Sequence, residues 1–254
     1  MRTCIWCNKD ELTVPFLKKA HTFPQSLGGD SICDNVCDLC NHYFGSPQSQ
    51  SPAIEVVLKE ILNISKYLLL HHMNEVPKNK RYKSEYFNLN WGKKSINLKP
   101  RYSIRRGYQE KLGRLFRKGL YKVFLEERER QRNDAKDSRF DFIREFARYD
   151  LGDYPIYYFK PKIRAVLISS IDTNKPMIRF TDHSDKMDKD FKVFDYIIMG
   201  HTFCLPTSRN FVSFYLDYYK TYLITTDNPF GTEIIPIKYV ENIDFTFKFL
   251  DQKG

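Results

Sequence analysis

Two cysteine pairs near the N-terminus limit the fold of this chain more than any other feature. The first pair is Cys4 and Cys7, and the second is Cys37 and Cys40. In each pair, two residues lie between the cysteines. Four thiolates with this spacing are typical ligands of a tetrahedral zinc ion. The loop between the pairs contains His21, which a purely structural zinc would not require. We therefore predict a structural zinc site at these four cysteines, with the chemistry concentrated in residues 1–46.

Composition favours a folded protein that keeps its cysteines reduced. The 254 residues are 42% hydrophobic and include 20 Phe and 17 Tyr, enough for a real core in one or two domains. The longest apolar run, 67–70, is too short to cross a bilayer, and no secretory signal is visible at the N-terminus. Paired cysteines in such a chain favour a metal over disulfides. We expect a cytoplasmic protein without a membrane segment, and Cys33 is a poorer-spaced alternative to Cys37 as a ligand.

Hydrophobic periodicity predicts an α+β protein in three parts. Apolar residues recur at helical spacing in 54–68, 112–124 and 140–146, whereas the run 128–137 is almost entirely charged and predicts an exposed helix extension or a break. Beyond Asp153, β-branched and aromatic runs predict an antiparallel sheet or small barrel of about five to seven strands. The runs are 154–159, 163–171, 177–181, 191–199, 211–216, 221–225 and 234–240. The expected division is a finger domain at 1–50, a basic helical region at 51–150 and a β-rich domain at 151–254.

Positive charge is concentrated in the middle of the chain. Residues 78–122 contain 15 lysines and arginines and two acids, in a chain of net charge +10. A solvated helical face is one interpretation. The other is a surface that binds nucleic-acid phosphates, since neutralising phosphates releases counterions. The candidate phosphate ligands are Lys93, Lys94, Arg101, Arg105, Arg106, Arg114, Arg117 and Lys118.

The finger segment carries a longer pattern around the cysteines. Between the pairs lies Ala20-His21-x-x-Pro24-x-Ser26-Leu27-Gly28-Gly29, and Asn35 and Asn41 flank the second pair. Together these residues resemble an HNH endonuclease, of the subgroup built on a zinc-stapled treble-clef or ββα-metal finger. The resemblance covers about the first fifth of the chain. It implies a ββα-metal finger at the N-terminus, followed by regions that it does not cover.

The resemblance also implies roles for three residues. His21 would be the general base that takes a proton from water. Asn41, at the start of the finger helix, would bind the catalytic divalent cation, Mg²⁺ or Mn²⁺. Asn35 would orient the loop carrying the histidine through backbone hydrogen bonds.

One position departs from the family pattern. Many HNH enzymes have an acidic residue immediately before the histidine, which binds the metal, and this chain has Ala20. A hard cation prefers oxygen ligands, so another group would have to substitute. The candidates are Asp30, Asp34, Asp38 and His42. With His42 as a ligand, a softer ion such as manganese, nickel or zinc becomes favoured.

These observations predict an HNH endonuclease that hydrolyses DNA, working in a restriction or antiviral defence system. Two alternatives stay open at this point. One is a non-catalytic, zinc-dependent nucleic-acid-binding module. The other is a nuclease effector, acting on DNA or RNA, whose C-terminal half senses a ligand or partner. That half could equally provide specificity or a homodimer interface.

Overall fold

The computed structural model describes residues 1–49, 51–72, 84–90, 95–100, 106–162, 165–167, 176–210, 217, 221, 232–245 and 248–250. They form an α+β fold, as the sequence predicts. The helices are α1 (Asp38–Gly45), α2 (Ile54–His72), α3 (Arg106–Arg132), α4 (Asp141–Tyr149) and α5 (Asp182–Phe191). The strands are β1 (Phe87–Asn90), β2 (Ser95–Leu98), β3 (Tyr157–Pro161), β4 (Ala165–Leu167), β5 (Val193–Ile198), β6 (His201–Pro206), β7 (Thr232–Pro236) and β8 (Lys248–Leu250).

The N-terminal finger consists of tight turns, two antiparallel bridges and one short helix. Thr3 pairs with Asp10, and His21 pairs with Ile32. Between the second pair of residues the chain turns through a short 3₁₀ helix, Gln25–Leu27. The turn ends at Gly28, whose φ of 96° lies in the left-handed region that glycine adopts without strain. Helix α1 then begins directly after Cys37 and carries Cys40, in the order expected of a ββα finger.

Helices α2 and α3 lie side by side beneath the finger, and their apolar faces form the centre of the core. Val57, Leu58 and Phe116 are fully buried. The two helices approach closely at Gly119, where a Cβ would lie 3.1 Å from Leu58 Cβ. Most buried hydrophobic residues form one cluster that runs from the finger to the C-terminal sheet. A smaller cluster, which includes Met187 and Phe191, lies where α5 meets the sheet. The finger therefore packs on the same core as the rest of the chain.

The C-terminal region contains a four-stranded antiparallel sheet in the order β5-β6-β3-β7. β5 and β6 form a hairpin, and Tyr157 of β3 is opposite Cys204 of β6. Two parts of the strand prediction were wrong. β4 pairs with β8 in parallel, and the run 177–181 forms no strand but leads into α5. The predicted strand 211–216 and most of 221–225 lie outside the described residues.

The β6 strand and helix α5 were not predicted, for different reasons. Strand β6 is buried along most of its length, so it lacks the alternation of polar and apolar residues that marks a half-buried strand. Helix α5 is mostly polar, with Met187 and Phe191 buried. It begins at a capping box between Thr181 and Ser184, a local signal that its sequence does carry.

The charged run 128–137, predicted as an exposed helix extension or a break, is buried at its start, and so are the two glutamates before it. The helix continues to Arg132, and Glu126, Glu127, Arg128 and Glu129 are all buried. Trp6 and Thr22 of the finger donate hydrogen bonds to the first two of these glutamates. The charges are buried because their partners come from other parts of the fold, which the helical pattern could not reveal.

Within the described residues, no helix combines the length and the apolar character needed to span a membrane.

Gly113 of α3 marks a close approach that can be tested. A Cβ there would collide with the backbone oxygen of Lys238 and lie 2.9 Å from its carbonyl carbon. We expect Gly113→Ala to destabilise the fold by about 1–3 kcal/mol, the usual cost of overpacking. Among the described residues beyond its chain neighbours and its own helix, Gly107 of the same helix has no heavy atom within 4 Å of the added carbon. Gly107→Ala should therefore be neutral or stabilising by up to about 1 kcal/mol. Urea unfolding of both variants measures the difference, and equal stabilities would contradict it.

Candidate metal centre and active-site cavity

The four predicted zinc ligands meet in the finger. The Sγ atoms of Cys4, Cys7, Cys37 and Cys40 all lie within 4.8 Å of one another. Cys7 Sγ and Cys37 Sγ are 3.7 Å apart, close to the roughly 3.8 Å that tetrahedral geometry with bonds of about 2.3 Å requires. Cys33 is buried outside this cluster, so Cys37 and not Cys33 completes the set. The cluster could hold a structural metal such as zinc.

The environment of the thiols suits a cation. A hydrogen bond from Cys40 lowers the pKa of Cys4 to about 5, whereas burial raises the pKa of Cys37 to about 11. Four thiolates this close together would repel one another. A divalent cation offsets that repulsion, and its binding displaces the thiol protons. Arg148 Nε also donates to Cys40 Sγ at 3.4 Å, which adds positive charge beside the cluster.

His21 lies at the bridge to Ile32 and is partly exposed. Its Nδ1 atom is buried, and within the described residues that atom has no hydrogen-bond partner. Its carbonyl oxygen accepts a hydrogen bond from Lys122 Nζ of α3 at 2.5 Å. The buried Lys122 therefore holds the backbone at His21 in place.

A cavity of about 330 Å³ is lined by residues of α1, the helix that carries Cys40 of the four-cysteine cluster. The finger contributes most of its lining, and α2 contributes one residue. The lining residues are Lys18, Lys19, His21, Pro24, Gln25, Asn41, His42, Gly45, Ser46 and Glu55. The cavity thus brings together the histidine that the sequence predicts as a base and both residues predicted to bind the catalytic metal.

Asn41 and His42 reach this cavity from the middle of α1. Asn41 Nδ2 donates to the Lys19 carbonyl at 3.4 Å, which leaves the amide oxygen of Asn41 available as a ligand. His42 Nδ1 lies 3.1 Å from Ser46 Oγ. Both side chains therefore border one space, although they are adjacent in the helix.

The carboxylates considered as substitutes for an acid at position 20 lie elsewhere. Asp38 Oδ1 accepts hydrogen bonds from the backbone N–H groups of Leu17 and Lys18, each at 2.9 Å, and so has a structural task. Asp30 and Asp34 are exposed and do not line the cavity. Glu55 of α2 is the carboxylate that does line it.

Three buried glutamates of α3 hold the finger in place. Glu126 accepts from Trp6 Nε1 at 3.1 Å, and Glu127 accepts from Thr22 Oγ1 at 2.6 Å. Glu129 accepts from Asn35 Nδ2 at 2.6 Å. The Asn35 side chain therefore forms its hydrogen bond with α3, and not with the loop that carries His21. Hydrogen bonds to buried charged groups contribute about 1.5–3 kcal/mol each, so the orientation of the finger on the core is well fixed.

The predicted phosphate ligands are only partly described. Lys93, Lys94, Arg101 and Arg105 lie outside the described residues, and Arg106 begins α3. Lys118 is buried and contacts Asp150 Oδ1 at 2.5 Å, and Arg117 is buried and donates to the Tyr154 carbonyl. Arg114 is partly exposed and pairs with Asp150 and Asp153. Because these three side chains serve internal contacts, we do not retain them as phosphate ligands.

Sequence reasoning missed four residues around the cavity. Lys18 and Lys19 directly precede Ala20 and are exposed, and counting charges next to the histidine would have found them. Glu55 and Lys122 carry no such local signal. They reach the site only because α2 and α3 pack beneath the finger.

The pH dependence of stability tests the buried contact between the finger and α3. Burial raises the pKa of Glu126 from 4.5 to about 7, against the opposing effect of Lys122. A carboxyl group with a raised pKa in the folded protein stabilises the fold below its unfolded pKa, and that contribution is lost as the pH rises through the folded value. We expect the stability of the wild type relative to Glu126→Gln to fall by about 2 kcal/mol from about pH 5.5 to about pH 8.5.

Urea unfolding at each pH measures this difference, with the exposed Glu241→Gln as the matched control. A difference between the wild type and Glu126→Gln that is constant or increases with pH would contradict the assignment.

Comparison with known proteins bears on the finger alone. Residues 4–50 match the family model described as HNH endonuclease. No curated protein and no solved structure matches the chain. The family resemblance is therefore confirmed for this segment, and HNH endonucleases act on nucleic acids with the help of divalent metals.

Proposed function

We propose that this protein is a metal-dependent endonuclease that hydrolyses DNA phosphodiester bonds in the cavity of the finger. The observation that carries the proposal is the meeting of His21, Asn41 and His42 in one cavity, lined by the helix that carries Cys40 of the four-cysteine cluster. These residues come from a segment that matches the HNH family model.

His21 is the general base of the proposed reaction. A neutral imidazole accepts a proton near working pH, so it can activate the water that attacks phosphorus. The bond from Lys122 to the His21 carbonyl holds the backbone in place. Such positioning matters because small displacements of a catalytic group lower the rate strongly.

The donor atoms around the cavity fit a divalent cation. The Asn41 amide oxygen and the Glu55 carboxylate are oxygen donors, which Mg²⁺ and Mn²⁺ prefer, and the His42 imidazole would favour Mn²⁺. When bound, the cation supplies positive charge beside the phosphate and the departing 3′-oxygen. Asn41 and His42 are the residues that we expect to hold it.

Lys18 and Lys19 give the cavity a positive rim. Both are exposed and line the cavity together with His21. Their charges would attract the phosphodiester without reading base sequence, because contacts to phosphate position a nucleic acid and do not specify it. Any sequence preference would then come from another part of the chain.

For the remainder of the chain we propose two roles. The region 51–150 supports the finger, through α2 and α3. The region 151–254 is a module for specificity, sensing or oligomerisation. A restriction or antiviral defence role would be consistent with a nuclease joined to such a module, by analogy of architecture alone.

One observation favours a second candidate, a zinc-dependent nucleic-acid-binding module without nuclease activity. Ala20 occupies the position before the histidine and is 1% exposed, so this position offers no carboxylate to a metal. Such a module would bind DNA through its cationic rim and leave it intact.

Incubation of the zinc-loaded protein with supercoiled plasmid distinguishes the two. The assay contains Mg²⁺, Mn²⁺ or Ni²⁺, with EDTA as the control, and parallel reactions use single-stranded DNA and RNA. We expect conversion of the plasmid to nicked or linear forms only when a divalent cation is added. Tight binding of DNA without cleavage in any metal would support the binding module.

A further inference from the structure

The cavity lacks the family's usual acidic ligand but contains a different carboxylate. Ala20 is buried and does not line the cavity. Glu55 does line it, although it belongs to α2 and lies beyond the segment that matches the family. Glu55 thus brings a carboxylate to the cavity from another part of the chain, although position 20 provides none.

Lys122 fixes Glu55 relative to His21. Its Nζ atom lies 2.8 Å from Glu55 Oε1 and 2.5 Å from the His21 carbonyl oxygen. The lysine is fully buried, so a single ammonium group joins the carboxylate to the backbone of the proposed base. Glu55 also stands in the first turn of α2, where the helix dipole favours a negative charge.

The second oxygen of Glu55 is directed toward the lining of the cavity. A Cβ added at Gly45 would lie 3.5 Å from Glu55 Oε2. In the part of the chain that the structure describes, no other atom beyond α1 and the chain neighbours of Gly45 comes within 4 Å of that Cβ. Gly45 is itself a lining residue. The absence of a side chain at Gly45 therefore leaves Oε2 accessible from the cavity.

The ion pairs of Lys122 leave one carboxylate charge unbalanced. Lys122 contacts two carboxylates, Glu55 and Glu126, the second at 2.9 Å. One ammonium group cannot balance two ionised carboxylates, so the group of three has a net negative charge when both are ionised. A divalent cation at Oε2 would offset this negative charge.

We propose that Glu55 is a carboxylate ligand of the catalytic divalent cation, in place of the acid that Ala20 does not provide. Lys122 is the positioning residue, which holds Oε1 so that Oε2 faces the cavity. This assignment rests on the proposed nuclease function, and it adds a ligand from outside the family segment.

Mn²⁺ binding to the zinc-loaded protein, without nucleic acid, tests the assignment by calorimetry and electron paramagnetic resonance. We expect Glu55→Gln to bind Mn²⁺ at least about tenfold more weakly than the wild type, and Glu55→Asp to bind with intermediate affinity. Asp34→Asn is the matched control, because it removes an exposed acid of the finger outside the cavity. Zinc content reports whether each variant keeps its finger.

Wild-type affinity in Glu55→Gln would overturn the assignment, as would an equal loss in Asp34→Asn, which would indicate a general effect of charge. If Glu55→Gln loses zinc, Gly45→Val replaces it, since that variant keeps Glu55 and places a side chain against Oε2. We expect weaker Mn²⁺ binding there, and unchanged binding would overturn the assignment.

The two proposals fail in different ways. A wild type that binds Mn²⁺ through Glu55 but cuts no substrate would refute the nuclease and leave the ligand assignment intact. A wild type that cuts DNA, with Glu55→Gln matching it in affinity and rate, would refute the ligand assignment alone.

Discussion

Replacing His21 with alanine is expected to slow metal-dependent DNA cleavage by about 10²- to 10⁴-fold, the usual contribution of a general base. The imidazole is not part of the four-cysteine cluster that could hold the structural metal. Its removal should therefore leave zinc content and DNA affinity unchanged. Single-turnover cleavage rates at saturating protein measure the chemical step without the contribution of product release.

His183→Ala is the control for the loss of an imidazole. His183 is exposed on α5, and it does not line the cavity. We expect wild-type rates from this variant. If His21→Ala cut as fast as His183→Ala, His21 would not be the base, and the nuclease, if active, would use another group.

Replacing Cys40 with serine should have the largest effect on structure. Structural zinc sites contribute about 10–16 kcal/mol of apparent binding free energy in finger peptides at neutral pH. Because the finger has only short bridges and one short helix of its own, we expect Cys40→Ser to lose zinc and to unfold residues 1–46. Cleavage should then be lost as well.

Trp6 reports this unfolding directly. It is 1% exposed and its ring centroid lies 4.7 Å from that of Phe44. The sequence has one other tryptophan, Trp91, so a Trp91→Phe background isolates the signal. We expect a red shift of the Trp6 emission in Cys40→Ser, and also in the parent protein after chelation of zinc.

Cys33→Ser is the matched control, because Cys33 is a buried cysteine of the same finger outside the cluster. It should keep zinc and the emission of the parent. Retention of zinc by Cys40→Ser together with an unshifted Trp6 emission would contradict the four-cysteine site.

The parts of the fold that could be predicted have local signals. The two cysteines of each pair stand close together in sequence, so the spacing within the pairs identified the cluster. Periodic apolar residues located α2 and α3 to within a few residues, because burial of one helical face leaves a pattern. His21 was identified because its neighbours repeat a family motif.

The parts that could not be predicted depend on contacts between distant segments. Arg128 and Glu129 belong to the charged run that the sequence predicts as exposed or broken. They are buried because they contact Asp188 and Asn35, which lie far away in the chain. The place of Glu55 in the cavity could not be predicted either, because it depends on how α2 packs beside α1. The parallel pairing of β4 with β8 likewise joins strands that are far apart in the chain.

The ends of the DNA products test the central claim most directly. If water activated by His21 attacks phosphorus and the 3′-oxygen departs, each nick carries a 5′-phosphate and a 3′-hydroxyl. We predict that DNA ligase reseals plasmid nicked by the zinc-loaded wild type with Mg²⁺ or Mn²⁺, and that His21→Ala leaves the plasmid supercoiled over the same time. Nicks that ligase cannot seal, or equal nicking by His21→Ala, would contradict hydrolysis at this site.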